Sequence, residues 1–228
     1  MLDDYLLIDK PKGWTSFDVV AKVRGIVKHQ TGQKVKVGHS GTLDPMATGL
    51  LIILVGKATK QQDSFMKKDK VYEAEITLGK TSDTYDAEGS LTDVNDKVPQ
   101  LNEVQKALTQ STGKITQTPP AYSAIKVNGK KAYELARAGK KVELKSREVT
   151  VYSIDDVSYE YPKVTFTCKV SSGTYIRSLA NDIGELLGCG GYLSSLKRTQ
   201  IDEYSVKDAI SIEQLSDSNW VNQIKTIV

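Results

Sequence analysis

Cysteine and histidine are scarce in this sequence. Its 228 residues include only two cysteines, Cys168 and Cys189, and two histidines, His29 and His39. The cysteines do not form a CxxC pair, so these four residues make no plausible zinc site, and we interpret both cysteines as reduced thiols. The sequence also lacks a glycine-rich phosphate loop and a dense acidic cluster. We therefore expect neither a metal nor a cofactor.

Long hydrophobic runs are also missing. The most apolar run, Leu50 to Val55, is much too short to cross a bilayer. The N-terminus begins Met1-Leu-Asp-Asp, without the apolar core of a signal peptide. We expect a cytoplasmic protein that does not enter a membrane. No internal repeat or linker divides the chain, so we expect a single domain over residues 1–228.

Charge is nearly balanced in the whole chain, at +3, but not along it. The segment 126–147 carries +6, and the remainder about −3. Its eight basic residues are Lys126, Lys130, Lys131, Arg137, Lys140, Lys141, Lys145 and Arg147, against Glu134 and Glu143. Such a segment is either a solvated surface or a binding site for a polyanion, and its concentration favours the polyanion.

Hydrophobic periodicity predicts strands and helices in mixed order, without a regular βαβ rhythm. The predicted strands cover about 5–8, 50–55, 71–78, 124–127, 149–154, 163–170 and 195–201, and the predicted helices about 16–28, 57–67, 102–108, 132–138 and 176–187. Ser16 is expected to cap the first helix, 79–98 to be an exposed loop, and Asn128-Gly129 to form a hairpin turn. Ser211 to Gln214 has the pattern of a capping box for a last short helix. We predict an α+β fold with a central mixed, mostly antiparallel sheet flanked by helices.

The segment Gly38 to Gly49, GHSGTLDPMATG, is the main candidate for a functional site. Its three glycines and its one carboxylate, Asp44 before Pro45, suit a shaped loop better than a helix or strand. The apolar strand that follows would hold the loop in place. A carboxylate on a rigid loop beside a core strand is typical of a functional group.

Six segments in order along the chain resemble the TruB family of tRNA pseudouridine synthases. They are LLIDKPKGWTS, GHSGTLDP, GKATK, KVYEAEITLG, TPPAYSAIKVNGKKAYELARAG and SSGTYIRSLANDIGELLGCGGYLSSLKR. The resemblance implies the pseudouridine synthase fold, with residues of about 118–146 as a basic thumb insertion. It also implies isomerisation of uridine to pseudouridine at position 55 in the tRNA T loop, by base flipping. Only 30 residues follow Arg198, so we expect no C-terminal PUA domain and recognition dominated by the T stem-loop.

The resemblance assigns catalytic roles to Asp44, Tyr72 and Arg177. Asp44 would attack C1′ of the uridine or help to remove a ribose proton, and the C1′–N1 bond would be replaced by C1′–C5. Arg177 would pair with Asp44 and keep it ionised. Tyr72 would stack on the base and help to move the C5 proton. Without the resemblance, a surface arginine and a core tyrosine are the simpler interpretations.

Further positions match residues that bind RNA in the family. His39 would occupy the space that the flipped uridine leaves. The other matching positions are Tyr175 and Leu196 at the flipped nucleotide, Lys10 and Lys60 supporting the site or the RNA backbone, and Lys130 and Lys131 in the thumb.

Two alternatives to the catalytic hypothesis remain. The protein could be a tRNA-binding folding factor that acts on the T arm, or a pseudouridine synthase for another RNA with a T-loop-like fold. In each case we expect RNA as the partner, and we expect a monomer without an obligate protein partner.

Overall fold

The computed structural model of the chain describes residues 4–123, 125–127, 129–140 and 142–216. They form two compact units. The first combines the chain up to Tyr72 with the chain from Leu196 onward, and the second is Glu73–Ser195.

Strands and helices follow one another in mixed order along the chain. The first half contains β1 (Tyr5–Lys10), α1 (Ser16–Thr31), β2 (Val37–His39), β3 (Thr48–Val55), a 3-10 helix (Gly56–Gln61), α2 (Gln62–Met66), β4 (Lys70–Leu78), β5 (Lys80–Ser82), β6 (Leu91–Asp93) and α3 (Leu101–Gln110). The second half contains β7 (Gly113–Gln117), β8 (Lys126–Val127), β9 (Lys130–Lys131), α4 (Ala132–Arg137), β10 (Arg147–Glu160), β11 (Lys163–Val170), α5 (Ile176–Leu187), β12 (Gly191–Ile201), β13 (Tyr204–Ser205) and 3-10 helices at Val206–Asp208 and Gln214–Ser216.

The first unit is built around β3. On one edge β1 runs antiparallel to it, with Tyr5 opposite Leu54. On the other edge, β2 pairs antiparallel with the end of β3, and β12 pairs parallel with its start, Lys197 lying opposite Thr48. Side chains of β3 are buried on both faces, one against α1 and the other against Phe65 and its neighbours. Burial on both faces explains why this strand is apolar throughout and does not alternate.

Helix α1 begins one residue earlier than the expected cap implies. Thr15, not Ser16, is the N-cap: its hydroxyl accepts from the Asp18 N–H at 3.0 Å, and the Asp18 carboxylate accepts from the Thr15 N–H at 2.8 Å. The prediction that Ser16 caps the helix is therefore wrong. Ser16 is buried. Because its hydroxyl does not cap the helix, it can contact Leu43 instead.

The second unit carries the strand order β12-β4-β11-β10-β7. Strand β10 pairs antiparallel with both β11 and β7. Strand β7 was not predicted. The segment 79–98, which was expected to be an exposed loop, contains the antiparallel pair β5–β6, and within it Ser82 and Asp86 are buried.

The fold class agrees with the prediction. The sheet is mixed because β3 and β12 run parallel while the neighbouring pairs are antiparallel. Within the described residues, no helix is long and apolar enough to cross a membrane. That residues 1–228 form one domain stays a prediction.

Candidate active site

The loop that carries Asp44, residues 40–47, connects β2 to β3 in the first unit. It is called the Asp44 loop below. It is held by the serine that was expected to cap α1. The Ser16 hydroxyl accepts from the Leu43 N–H at 2.8 Å and donates to the Leu43 carbonyl at 3.1 Å. Beyond the loop's aspartate, the Ala47 N–H donates to the Asp44 carbonyl at 3.1 Å. The residue that carries the carboxylate is therefore fixed from both sides.

Lys10 supports the same loop from beneath. Its side chain is fully buried. The ammonium donates to the carbonyls of Trp14, Pro11 and Pro45, at 2.6, 3.0 and 3.5 Å. Both roles expected for Lys10, support of the site and contact with the RNA backbone, stay predictions. Support of the loop agrees with its contacts.

Arg198 was not predicted as a site residue from the sequence. It lies in β12 with 1% of its surface exposed. Its Nε donates to the Leu50 carbonyl at 2.8 Å and its Nη2 to the Gly41 carbonyl at 3.2 Å. One guanidinium thus joins the first part of the Asp44 loop to the start of β3. The available signal was its position two residues after Leu196, on the same face of a strand.

Glycine is required at position 49 because the backbone of Arg198 lies close to it on the neighbouring strand. The two residues lie opposite each other in the parallel pairing of β3 with β12. Gly49 has φ +98°, and a Cβ there would lie 2.3 Å from the Arg198 carbonyl oxygen. No other residue fits without moving one of the two strands.

His39 lies at the end of β2, five residues before Asp44. Its Nδ1 accepts from the Gly41 N–H at 3.3 Å, which leaves Nε2 as the protonated nitrogen of a neutral ring. Burial lowers the pKa of His39 below its ordinary value, and the positive charge of Arg198 lowers it further. The imidazole is therefore neutral at physiological pH.

The other expected residues of the first unit lie in β4, in β12 and after β3. Tyr72 and Leu196 are both buried, each with 8% of its surface exposed. They lie on neighbouring strands, where the Thr199 hydroxyl donates to the Val71 carbonyl at 3.3 Å. Lys60 is exposed in the 3-10 helix after β3.

In the second unit, Arg177 is held by a buried carboxylate. It lies in the first turn of α5 and is 6% exposed. Its Nη1 donates to Asp86 Oδ2 at 3.1 Å and to the Thr84 carbonyl at 3.2 Å, while Nη2 donates to the Tyr122 carbonyl at 3.0 Å. These contacts exclude the interpretation of Arg177 as a surface residue. Its pairing with Asp44 stays a prediction.

Asp86 was also missed, since nothing in a polar loop sequence distinguishes a buried carboxylate from an exposed one. It is 2% exposed. Besides Arg177, it accepts from the Thr84 hydroxyl at 2.6 Å and from the Glu88 N–H at 3.0 Å. A carboxylate with three donors is fixed in orientation, and it fixes the guanidinium in turn.

Tyr175 is placed by a glutamine. Gln117, which is 1% exposed, accepts from the Tyr175 N–H at 2.8 Å and donates to its carbonyl at 3.0 Å. The guanidinium of Arg147 lies 5.1 Å from the centre of the tyrosine ring and also donates to the Gly173 carbonyl. Tyr175 and Arg177 are thus each fixed by hydrogen bonds at the start of α5.

The basic segment forms the hairpin that was expected. Val127 lies opposite Lys130 in the antiparallel pair β8–β9, and Gly129 has φ +82°. Ala124, Asn128 and Lys141 lie outside the described residues. Lys131 and Arg137 both approach the ring of Tyr133, at 5.4 and 5.6 Å from its centre. The described cations of the hairpin and of α4 are exposed: Lys126, Lys130, Lys131 and Arg137.

Comparisons with known proteins give a consistent result. The family model "TruB family pseudouridylate synthase (N terminal domain)" matches residues 28–176, and the model "tRNA pseudouridylate synthase B C-terminal domain" matches residues 177–226. The tRNA pseudouridine synthase B of Clostridium kluyveri is 47% identical over 98% of this chain and 75% of its own length. The protein of the same name from Chlorobaculum tepidum is 49% identical over 94% of this chain and 90% of its own length.

A solved structure is similar over nearly the whole chain. It is a crystal structure of a Cbf5-Nop10-Gar1 complex, with 29% identity and a TM-score of 0.72 over 96% of this chain. This chain spans 55% of the length of the matched chain. Since the first family model covers more than half of the sequence, and its match includes the Asp44 loop, this chain belongs to the TruB family of pseudouridylate synthases.

Proposed function

We propose that this protein isomerises uridine to pseudouridine at position 55, in the T loop of tRNA. Membership of the family and relatives named tRNA pseudouridine synthase B support the reaction and the substrate. The observation that carries the assignment to Asp44 is its loop, which is fixed by Ser16 and Arg198 and braced by the buried Lys10.

The chemistry proposed for Asp44 is cleavage of the bond between C1′ and N1. Its carboxylate either attacks C1′ or helps to remove a ribose proton, giving a glycal-like intermediate. The uracil then turns and C5 forms the new bond to C1′. As it forms, the Asp44–C1′ bond breaks or, from the glycal, the proton returns to the ribose. C5 then loses its proton, and N1 gains one. Substrate and product have the same atoms and oxidation state, so the balance requires no redox partner.

Other residues of the proposed site act on the nucleotide. Tyr72 is proposed to stack on the flipped base and to help move the C5 proton, and Tyr175 and Leu196 to contact the same nucleotide. His39, as a neutral ring, is proposed to fill the space vacated by the uridine, which offsets part of the cost of unstacking. Arg177, oriented by Asp86, is proposed to keep Asp44 ionised.

The basic thumb, residues of about 118–146, is proposed to bind phosphates of the T stem-loop with Lys130 and Lys131. Lys60 is proposed to support the RNA backbone near the site. Such binding depends on salt, because each neutralised phosphate releases condensed counterions. We further propose that the protein works as a monomer in the cytoplasm, without an obligate protein partner.

Substitution of Asp44 tests this function. Asp44→Asn keeps the size of the side chain but removes its negative charge, so no pseudouridine should form on a T-arm transcript, while RNA affinity should stay within about twofold. Release of tritium from [5-³H]uridine measures the reaction, and fluorescence anisotropy measures affinity. Appreciable turnover by the variant would exclude Asp44. Absence of turnover by the unchanged protein would favour the folding-factor alternative.

A further inference from the structure

Helix α1 carries an exposed stripe that the proposed chemistry does not use. It consists of Phe17, Arg24 and Lys28, which successive spacings of seven and four residues place within about 40° of one another around a helix. All three side chains are exposed. Phe17, with 63% of its surface exposed, is the most exposed large apolar residue in the part of the chain that the structure describes.

The surroundings of the α1 stripe are basic. Residues 11–36 contain six cations and one carboxylate, Asp18, which is engaged at the helix cap, giving +5. The segment 126–147 carries +6 and the whole chain +3. All residues outside these two segments therefore carry a net charge of −8. The six cations are Lys12, Lys22, Arg24, Lys28, Lys34 and Lys36. All are exposed, and none forms an ion pair with any residue that the structure describes.

The α1 stripe begins at the Asp44 loop. Ser16, next to Phe17, is the residue that binds Leu43 through its hydroxyl, and the Gly13 N–H donates to the Pro45 carbonyl at 2.8 Å. From Phe17 the helix leads away, and Lys28 lies about 16 Å further along its axis. All of these residues belong to the first unit.

The chemistry of the α1 stripe fits RNA. The Arg24 guanidinium lies 5.9 Å from the centre of the Phe17 ring, so an aromatic face and a cation are presented together. Nucleobases stack on such faces, and Arg and Lys bind phosphates. Exposed cations without ion pairs can bind phosphates without first breaking an internal contact.

We propose that the α1 stripe is a second RNA-binding surface, in which Arg24 and Lys28 bind phosphates and Phe17 stacks on an unpaired base near the target uridine. This inference rests on the proposed function, because the proximity of the stripe to Asp44 identifies the polyanion as the substrate RNA. An acidic protein partner is the competing occupant, and the salt dependence of RNA binding separates the two.

The experiment measures the affinity of a T-arm hairpin by fluorescence anisotropy between 50 and 300 mM salt. The unchanged protein is compared with Arg24→Gln/Lys28→Gln. Loss of two phosphate contacts should reduce the slope of log affinity against log salt by about 1.5, and should weaken binding at 0.1 M salt by about 10- to 30-fold.

A matched control distinguishes the effect of losing stripe residues from the effect of lowering the net charge. Lys22 lies on the same helix, about 140° around from Phe17, and Lys67 is exposed elsewhere in the first unit. Lys22→Gln/Lys67→Gln removes the same charge and should leave the slope within about 0.3 of the original. Equal slopes for the two double variants would overturn the proposal, and would leave the stripe as a solvated or protein-binding surface.

Phe17→Leu tests the stacking component. Leucine keeps an apolar side chain but has no ring, so affinity should fall about fivefold or more while the salt slope stays the same. Unchanged affinity would show that Phe17 does not take part in RNA binding. Circular dichroism confirms that each variant is folded.

The binding assay also keeps this inference distinct from the proposed function. If the unchanged protein forms no pseudouridine, the proposed function fails, whereas the salt slopes still report on the stripe. If the protein is active, the loss in the Arg24→Gln/Lys28→Gln variant should be carried by KM, since neither residue is placed at the reacting atoms. A loss carried by kcat, with RNA affinity unchanged, would contradict the proposal.

Discussion

Arg198 joins the loop that carries Asp44 to the start of β3. Arg198→Lys keeps the charge, but one ammonium cannot reproduce the planar fork that joins the carbonyls of Gly41 and Leu50. A displacement of about 1 Å in a catalytic group can cost about 100-fold in rate. We therefore expect kcat to fall by about 10- to 100-fold while RNA affinity changes by less than about threefold.

Two readouts distinguish this positioning role from a loss of stability. Val104→Ala, in a fully buried position of α3, serves as a control of comparable instability and should keep its kcat at temperatures below unfolding. Arg198→Met should also raise the pKa of His39, because the second cause of its lowering is removed while burial remains. With two histidines in the chain, NMR titration resolves this shift. An unchanged kcat in Arg198→Lys would exclude the positioning role.

What the sequence could reveal at residue scale was limited to groups with an identifiable pattern. Asp44 could be found, because a single carboxylate among glycines before an apolar strand indicates a shaped loop. Asp86 and Gln117 could not, since both are buried by contacts with residues distant in sequence, Arg177 and Tyr175. Burial of a polar side chain depends on a partner that periodicity does not identify.

At the scale of elements, the thumb provides the next prediction. Lys130→Glu/Lys131→Glu places two negative charges on the exposed hairpin strand β9. It should reduce the salt slope of T-arm binding by at least about 1.5, as expected for the loss of two phosphate contacts. Lys106→Glu/Lys114→Glu changes the net charge equally at exposed positions of α3 and β7 and should alter the slope less. An unchanged slope in the hairpin variant would count against a role of the thumb in RNA binding.

Elements with strong periodicity or strong turn signals were predicted best. Strands β3, β4 and β11 and helix α5 are present where the apolar pattern placed them, and Gly188 ends α5 with φ +69°. The first helix was predicted, but its cap was not, because Thr15 and Ser16 are chemically equivalent candidates. Contact with Leu43 decides between them, since it engages the Ser16 hydroxyl. Strand β7 was missed because GKITQ has too few apolar residues to show alternation.

At the scale of the whole molecule, stability should depend on the ionisation of Asp182. Burial, and then the charge of Glu185, raise the pKa of this carboxyl from 3.8 to about 6. Between these values the folded protein binds more protons than the unfolded chain, so this group's contribution to stability decreases as pH rises through that window. Above about pH 6 the charged carboxylate is a constant cost.

Asp182→Asn should remove this cost. The variant should unfold about 2–4 °C higher than the unchanged protein at pH 7, the equivalent of about 1 kcal/mol once solvent screening is allowed for, and at the same temperature at pH 3.5. Asp96→Asn, at an exposed position, is the control and should show no such difference. Thermal unfolding is followed by circular dichroism. A difference in unfolding temperature that does not depend on pH would contradict a cost from the ionised Asp182 carboxylate.

Mapping of pseudouridine in the RNA of cells with and without this protein tests whether the molecule converts a T-loop uridine of tRNA. We expect pseudouridine at position 55 of tRNA to disappear without the protein, to return when the protein is restored, and not to return with Asp44→Asn. Retention of pseudouridine 55 in cells that lack the protein and have no second enzyme of this type would contradict the claim. Loss only at sites in ribosomal or messenger RNA would contradict it as well.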